Sequence, residues 1–354
     1  MPRSVRSAEP RVVRCRSGET LQILRYSPRR SRALLELARL ALGETRERRK
    51  TPELWSWKHG RNPFGRSQGL YAWDTEAARA IGLRMLMRWS FRRADASIVR
   101  ALRAVDTATH PDWRRRGIFS TLTRRALEDA RKEACFIFNT PNAASFAGYE
   151  KLGWKNVARF SIFRRTLVAP RSAASGEPWD VCFSRGVLPF SEFLERHARQ
   201  ARTIVRDWEE MRGCSGLRTP RSLAYLRWRY TGHPQIRYGV QALVVRGALL
   251  GWLVLRPRIE SQKRKVMITE MFLKEKDLGL GRELVESAMV NLRAEHVLSH
   301  FAGRSFEQRV LRTSSFARVP DRSTFFAVKK LRTTKPDPLL AKSWDLSLGD
   351  LEVF

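Results

Sequence analysis

Residues 105–120 of the chain read VDTATHPDWRRRGIFS. A strand ends within this stretch, because Pro111 has no N–H with which to continue a ladder. A basic loop carrying Gly117 then opens directly into a helix. A helix N-terminus exposes unpaired N–H groups and the positive end of the helix dipole, and Gly117 lets that backbone approach a bulky phosphate. The stretch therefore predicts an anion site, the alternative being a solvated basic loop that caps an ordinary surface helix.

The segments around this loop predict a mixed α/β order. Hydrophobic periodicity and the Gly and Pro breakers indicate six strands, at 20–26, 69–74, 80–91, 97–109, 135–139 and 156–167. Four helices are predicted, at 27–42, 51–59, 115–133 and 143–152. The order β-α-α-β-β-β-α-β-α-β ends with the βαβ character of parallel pairing.

The second part of the chain repeats the first. A strand at 181–184 and a helix at 190–205 follow a stretch of small residues, and Trp228-Arg-Tyr-Thr-Gly-His-Pro matches Trp57-Lys-His-Gly-Arg-Asn-Pro at an offset of 228 − 57 = 171. The helix 117–133 aligns without gaps on 279–295 at an offset of 279 − 117 = 162. Two matches in the same order predict a duplicated domain.

These boundaries divide the chain into five parts. We expect a flexible basic arm at 1–19, a catalytic domain at 20–168, a linker at 169–178, a second domain at 179–334, and a tail at 335–354 that docks on the body through Trp344 and Leu346.

Charge and cysteine usage limit the setting of the protein. The 68 Lys and Arg against 35 Asp and Glu give a net charge of +33, which indicates an anionic partner without selecting one, because the basic residues are spread along the chain. No apolar run is long enough for a membrane helix, and the N-terminus lacks the apolar stretch of a secretory signal. Cys15, Cys135, Cys182 and Cys214 lie far apart, which favours free thiols in the cytoplasm over disulfides or a metal site.

Two segments resemble the GNAT superfamily of acyltransferases. Arg114, Gly117 and Phe119 resemble its pyrophosphate-binding signature Gln/Arg-x-x-Gly-x-Gly/Ala, with the bulky Phe119 as a departure at the third position. Residues 142–154, NAASFAGYEKLGW, resemble its later motif, an Asn followed by Tyr-x-x-Leu-Gly-aromatic. The motifs cover about 104–154, and the order of elements extends the resemblance over about 20–167.

The resemblance implies a fold and a place for the acyl donor. It implies two tandem GNAT-like domains, each a mixed, mostly antiparallel twisted sheet with a splayed parallel strand pair flanked by helices. Acetyl-CoA would lie between the strands that end at Thr109 and Asn139, and an N–H near Thr107 or Ala108 would stabilise the oxyanion. The implied cofactor-binding residues are Thr107, Ala108, Thr109, Arg114, Arg115, Arg116, Gly117, Ile118, Phe119, Ser120 and Asn142.

The resemblance also implies a catalytic acid. Tyr149 matches the residue that protonates the departing thiolate, the alternative being a half-buried tyrosine with its hydroxyl in water. The base that deprotonates the amine is left open among His110, Asp106, Glu53 and His59. No metal is expected.

The second copy departs from these motifs. Lys276, Gly279 and Gly281 keep a Lys-x-x-Gly-x-Gly outline, but Tyr149 maps to Leu311 and Asn142 to Arg304. Leucine cannot donate a proton, so the second copy is predicted to be non-catalytic.

The sequence therefore predicts an N-acetyltransferase that moves an acetyl group from acetyl-CoA to a primary amine. Its net charge favours an anionic acceptor such as an aminosugar derivative. Two alternatives stay open: a Fem-like aminoacyltransferase that uses tRNA, and a non-catalytic nucleic-acid-binding protein on the same scaffold. The oligomeric state is also open.

Overall fold

The computed structural model describes residues 11–14, 20–44, 49–168, 176–212, 216–303 and 305–351. Parts of the predicted arm (1–10 and 15–19) and of the predicted linker (169–175) lie outside the described residues, as do Cys15, Cys214 and Arg304. Among the described residues Cys135 and Cys182 are free thiols, and no helix is both long and apolar enough to cross a membrane.

Thirteen strands are described. They are β1 (Arg11–Arg14), β2 (Thr20–Arg25), β3 (Gln68–Asp74), β4 (Arg79–Arg92), β5 (Ile98–Thr109), β6 (Phe136–Asn139), β7 (Lys155–Thr166), β8 (Leu188–Pro189), β9 (Gly239–Val245), β10 (Ala248–Glu260), β11 (Lys263–Leu273), β12 (His296–Ser299) and β13 (Ala317–Lys330).

The helices flank the strands. They are α1 (Ser31–Leu42), α2 (Pro52–His59), α3 (Ile118–Ala130), α4 (Ala143–Glu150), α5 (Pro178–Cys182), α6 (Phe190–Met211), α7 (Leu223–Leu226), α8 (Leu278–Asn291), α9 (Phe306–Thr313) and α10 (Leu348–Leu351). A π-helical turn, Arg227–Thr231, continues α7.

All thirteen strands form one sheet whose order is symmetric about its middle. The order is β1-β2-β3-β4-β5-β6-β13-β7-β12-β11-β10-β9-β8. Most neighbours are antiparallel, and the two parallel pairs are β5 with β6 and β11 with β12. The predicted mixed, mostly antiparallel sheet is confirmed in character, but the two sheets expected from the sequence are joined into one.

The last strand of each half joins the two sheets. β7, from the first half, pairs with β12 and β13 of the second half. β13, from the second half, pairs with β6 of the first half along Ala327–Lys330. Each parallel pair is therefore flanked by a strand that comes from the other half of the chain.

Two equivalent tryptophans meet between the halves. The rings of Trp57 and Trp228 stack with centroids 4.7 Å apart and planes 11° apart. The Trp57 ring N–H donates to the Trp228 carbonyl oxygen (2.7 Å), and the Trp228 ring N–H donates to the Trp57 carbonyl oxygen (3.0 Å). The separation of 171 residues equals the repeat offset, and such a reciprocal contact is what a two-fold arrangement of equivalent segments produces.

The helices of the first half cover both faces of the sheet. α3 packs on one face around Leu122, Ile81 and Trp154, and α1 and α2 pack on the other around Leu34, Trp55 and Leu83. Gly82 permits the close approach of α3, because a Cβ there would lie 2.4 Å from Ile118 Cγ2. The β5–β6 edge is thus held between two layers of helix.

Three sequence predictions need correction. Arg11–Arg14 pairs with β2 as a strand, so the ordered sheet begins before Thr20. The predicted strand 181–184 is wrong, because Pro178 opens the short helix α5 there. α3 begins at Ile118 instead of residue 115, since Arg115 has φ +65° and Gly117 φ +85°, values that a helix does not accept.

The chain returns to the body after β13. The Trp344 ring packs edge-on against Phe91, Phe136 and Phe326, and Leu346 is buried. Leu348 N–H donates to the His300 carbonyl oxygen (2.7 Å). α10 consequently lies beside the end of β12.

We expect Trp228→Phe to lower the free energy of unfolding by about 3 kcal/mol. The change removes the buried hydrogen bond that the Trp228 ring donates to the Trp57 carbonyl oxygen, and it weakens the stack. Urea denaturation measures the free energy of unfolding. The control is Trp73→Phe at a half-buried position, which should lower it by no more than about 1 kcal/mol. Equal effects of the two substitutions would contradict the role given to the tryptophan pair.

Candidate active site

The site lies where β5 and β6 part. Their pairing covers only Ala101–Arg103 against Phe136–Phe138, while β5 continues to Thr109. The edge of β5 beyond Arg103 therefore has no strand beside it among the described residues.

Asp106 forms a bulge in this open part of β5, because Val105 pairs with Met85 and Thr107 with Arg84. Its φ of +41° is strained for an aspartate, and such strain collects at functional sites.

A cavity of about 570 Å³ covers the N-terminus of α3. No side chain caps this helix, so the N–H groups of its first turn face the cavity without a capping acceptor. Four arginines line the same cavity, at positions 114, 115, 116 and 124. The free N–H groups, the helix dipole and the guanidinium groups together make an anion site.

A second cavity of about 550 Å³ continues along the open edge of β5. Thr107, Ala108, Thr109 and Phe119 line both cavities. The second cavity ends among Asp106, Asn142 and Tyr149, together with Lys58, Arg103 and Asn139. The two cavities thus form one path from the arginines to Tyr149.

Phe119 occupies the position where the resembled signature has a small residue. Its ring meets the Tyr149 ring edge-on at 5.7 Å, and it lies beside Gly148, where a Cβ would come 3.4 Å from the Phe119 ring. That distance is an ordinary van der Waals contact, so the Phe119 ring packs against α4 without a clash. The departure from the signature is therefore accommodated by local packing.

Tyr149 is buried against β4 and lines the second cavity. Arg84 Nη1 donates to Tyr149 Oη (2.7 Å) and lies 2.6 Å from Thr107 Oγ1. An arginine has no acceptor, so Tyr149 Oη must accept from it. The phenolic proton lies on another side of the oxygen, where Thr107 Oγ1, 3.5 Å away, is one acceptor within reach.

Asp106 binds two side chains of α2. Its Oδ2 accepts from Lys58 Nζ (2.9 Å) and lies 3.0 Å from His59 Nε2. Burial raises the pKa of Asp106, but the charge of Lys58 and the hydrogen bond of His59 outweigh it and hold that pKa well below its ordinary value. Asp106 is therefore a carboxylate at neutral pH.

His59 is held in one tautomer by this carboxylate. Burial lowers the pKa of His59 more than Asp106 raises it, so the ring is neutral. Nε2 must carry the proton that it donates to Asp106, and Nδ1 accepts from the Ser67 hydroxyl (2.9 Å). His59 thus orients Asp106 from the side away from the cavity.

The remaining predicted residues lie in different places. Asn142 lines the second cavity but uses its Oδ1 to cap α4 through Ser145 N–H (2.8 Å). His110 lines neither cavity; its Nε2 lies 3.4 Å from Arg79 and its Nδ1 accepts from Asp112 N–H (3.4 Å). Glu53 stands on the exposed first turn of α2. The structure brings Asp106 and Tyr149 to one cavity and leaves His110 and Glu53 outside it.

Sequence reasoning did not identify Lys58 or Arg84. Lys58 was part of the repeated Trp57 segment, where it had no assigned role. Arg84 lies in the middle of an apolar strand, and a buried arginine in such a run is a signal that could have been followed.

The equivalent region of the second half is closed. Asp277 caps α8, its Oδ1 accepting from Leu280 N–H (2.7 Å), so a carboxylate stands where α3 has none. α10 occupies the opening beyond the paired part of β11 and β12, with Ser347 bridged to Phe301. Arg221 holds it there by pairing with Asp350 (2.9 Å) and with Glu270 of β11 (2.9 Å).

Residues 24–157 match the family model of the acetyltransferase (GNAT) domain. The chain carries a GNAT acetyltransferase domain. The matched range contains the loop at α3, the bulge in β5, and Tyr149, so the GNAT domain predicted for the first half is confirmed. No curated protein matches the sequence.

Solved structures resemble most of the chain in fold. One is a conserved protein of Enterococcus faecalis V583 named as a probable N-acyltransferase, with 13% identity, 88% of this chain and 73% of that chain covered, and a TM-score of 0.57. Two others are GCN5-related N-acetyltransferases. The Anabaena variabilis protein has 11% identity and a TM-score of 0.56, with 88% of this chain and 73% of that chain covered. The Kribbella flavida protein has 13% identity and a TM-score of 0.53, with 88% of this chain and 71% of that chain covered. At these identities the likeness concerns the fold, and it extends over both halves of the sheet.

We expect Asp106→Asn to lower the free energy of unfolding by about 3 kcal/mol near neutral pH, because Lys58 is left buried without its counter-charge. The folded-state pKa of Asp106 is lowered, so its contribution is full above the unfolded pKa of about 4 and is lost as the pH falls below it. The difference between wild type and variant should then shrink in urea titrations at about pH 3. The control is the exposed Glu128→Gln, which should lower the free energy of unfolding by no more than about 1 kcal/mol. If the difference in unfolding free energy between wild type and Asp106→Asn did not depend on pH, Asp106 would not be the stabilising carboxylate assigned here.

Proposed function

We propose that the protein is an N-acetyltransferase that moves an acetyl group from acetyl-CoA to a primary amine by direct attack in a ternary complex. The observation that carries the proposal is the continuous path between an uncapped helix end with four arginines and the hydroxyl of Tyr149. A long ligand with phosphates at one end and a reactive group at the other has the chemistry to fill such a path.

The donor is proposed to bind through the backbone as much as through side chains. The N–H groups of Gly117–Ser120, with Arg114, Arg115 and Arg116, would hold the pyrophosphate. The open edge of β5 at Thr107–Thr109 would hydrogen-bond the pantetheine arm, and an N–H there would stabilise the oxyanion. Asn142 would contact the donor only through its amide nitrogen Nδ2, because its Oδ1 caps α4.

Tyr149 is the proposed general acid. The amine nitrogen bonds to the carbonyl carbon, the C–S bond breaks with its electron pair on sulfur, and Tyr149 gives its proton to that sulfur. The amine loses one proton and the tyrosinate regains one, so the products are the amide and the free CoA thiol.

Asp106 is proposed to orient the amine. Because its pKa is held low, it stays a carboxylate that attracts the amine, and the released proton passes to water in the open cavity. His59 fixes the carboxylate through Nε2. His110 is proposed to fix the turn before Pro111, where it accepts from Asp112 N–H.

The acceptor is proposed to carry a negative group near its amine. Lys58 and Arg103 line the cavity beside Asp106, and both are almost fully buried. The carboxylate would attract the amine of the acceptor, and the two cations would attract an anionic group next to that amine. An acidic aminosugar derivative has both groups. We place the reaction in the cytoplasm, where Cys135 and Cys182 would stay reduced.

The second half is proposed to be a duplicated GNAT-like copy that binds no acyl-CoA. The Asp277 carboxylate would repel a pyrophosphate at the N-terminus of α8, α10 fills the opening beside β11, and Leu311 cannot act as an acid. Its last strand, β13, supports β6 at the first-half site.

We expect Tyr149→Phe to lower kcat about 100-fold with acetyl-CoA and a responsive amine, because the leaving thiolate loses its proton donor. The KM for acetyl-CoA should change little, since the phosphate contacts stay. Release of the CoA thiol measures both constants, with the buried Tyr71→Phe on β3 as control. Full activity of Tyr149→Phe would remove the assigned acid, and thermal stabilisation by tRNA but not by CoA would favour the aminoacyltransferase alternative.

We expect one CoA to bind per chain, and a carboxylate at position 117 to abolish most of that binding. Gly117→Asp and Gly117→Asn place similar side chains at a left-handed residue with no atom within 4 Å of the new Cβ, and both variants carry a similar backbone strain, so the comparison between them isolates the charge. Calorimetric titration with CoA should show at least about tenfold weaker binding for the aspartate than for the asparagine. Two sites per chain, or equal affinities, would contradict the proposed phosphate site.

A further inference from the structure

Arg84 of β4 is a buried arginine whose charge is not balanced nearby. Its side chain is 1% exposed, and no carboxylate among the described residues forms an ion pair with it. Nη1 serves Tyr149 Oη and Thr107 Oγ1, while Nε and Nη2 have no hydrogen-bond partner. A charged group left in this state costs stability, so a structural purpose does not account for it.

The guanidinium of Arg84 makes its hydrogen bonds and its ring contacts with Tyr149, Thr107 and Trp154. The guanidinium carbon lies 5.1 Å from the centre of the Tyr149 ring and 5.8 Å from that of Trp154. Opposite it on β5 lies Thr107, next to the Asp106 bulge. The arginine is thus held between the aromatic rings of the α4 side and the edge of the donor path.

We propose that Arg84 is the positioning residue that makes Tyr149 an effective acid, an inference that rests on the function proposed above. By donating to Tyr149 Oη, it occupies one acceptor position of that oxygen, so the phenolic proton must lie on another side of it. When the C–S bond breaks and the proton moves from Oη to sulfur, the oxygen becomes an anion beside the guanidinium. The existing hydrogen bond then becomes a charge-assisted one in a site of low dielectric. Arg84 therefore acts in the step through Tyr149 and does not touch the donor.

The first test is a double-mutant cycle on thiol release. Arg84→Met should lower kcat at least about tenfold while the KM for acetyl-CoA and the dissociation constant of CoA stay within about twofold. In the Tyr149→Phe background the same change should lower kcat by less than about twofold, because there is no proton left to position. Arg84→Lys, which keeps a donor and a charge, should restore part of the lost kcat.

The second test separates positioning from folding. An arginine that stabilises the fold lowers the melting temperature when it is removed, whereas loss of an uncompensated buried charge leaves it unchanged or raises it. Arg84→Met should therefore keep or raise the melting temperature of the full chain. The matched control is Arg264→Met on β11: Arg264 is 2% exposed and pairs with Glu295 at 3.2 Å, so this variant should melt earlier and keep its kcat.

Each outcome has a separate meaning. A wild-type protein that releases no CoA thiol with any amine would overturn the proposed function and this inference together. An active wild type with an impaired Tyr149→Phe and an unimpaired Arg84→Met would overturn the role of Arg84 alone. Additive losses of kcat in the cycle, or a fall in melting temperature as large as that of Arg264→Met, would show that Arg84 is a structural residue.

Discussion

The exchange of last strands between the two halves is the constraint on which the rest of the structure depends. β6 has the parallel strand β5 on one side, from which it parts after Arg103, and on its other side only β13, which the second half supplies. The wall of the proposed donor path is therefore completed by the other half of the chain. The reciprocal bonds of Trp57 and Trp228 hold the same two-fold relation outside the sheet. A half without its own acid can still be required for the reaction, because a short strand such as β6 is not stable with one partially paired neighbour.

The two halves share the same sheet order but differ locally at the helix end and at the bulge. At the first helix end Gly117 adds no acceptor, and at the second Asp277 satisfies the N–H groups itself. Both strands beside the opening carry a bulge, at Asp106 in β5 and at Thr269 in β11, where Val254 pairs with Glu270 and Leu255 with Ile268. The buried Thr269 hydroxyl donates to the Val254 carbonyl oxygen, whereas Asp106 faces an open cavity. The bulge in β5 thus presents a charged side chain to a cavity, whereas the polar side chain of the bulge in β11 is used in a hydrogen bond within the sheet.

Buried charge has different costs on the two sides of β5. Asp106 is compensated by Lys58 and by a neutral His59, so the fold gains from keeping it ionised. Arg84, which packs beside Tyr149, has no counter-charge among the described residues and two unpaired nitrogens. A fold selected for stability alone would not keep such a group, and stability is commonly given up where catalysis requires it. The charge distribution around β5 therefore separates a stabilised carboxylate from an arginine that we propose is retained for the reaction.

The sequence alone determined the order of the elements from β2 to β7, the repeat, and the local character of the loop at Arg114–Gly117 and of the segment around Tyr149. These signals extend over one turn or one strand, so neighbouring residues suffice to express them. Asp277, directly before α8, is also a local signal of a helix cap. Only the tertiary structure decided that β7 and β13 change places, that Lys58 meets Asp106, and that Arg84 lies under Tyr149. The physical reason is the distance along the chain: Lys58 and Asp106 are 48 residues apart, and Arg84 and Tyr149 are 65 residues apart. Whether such residues meet depends on strand pairing and register across the sheet, and local periodicity does not contain that information.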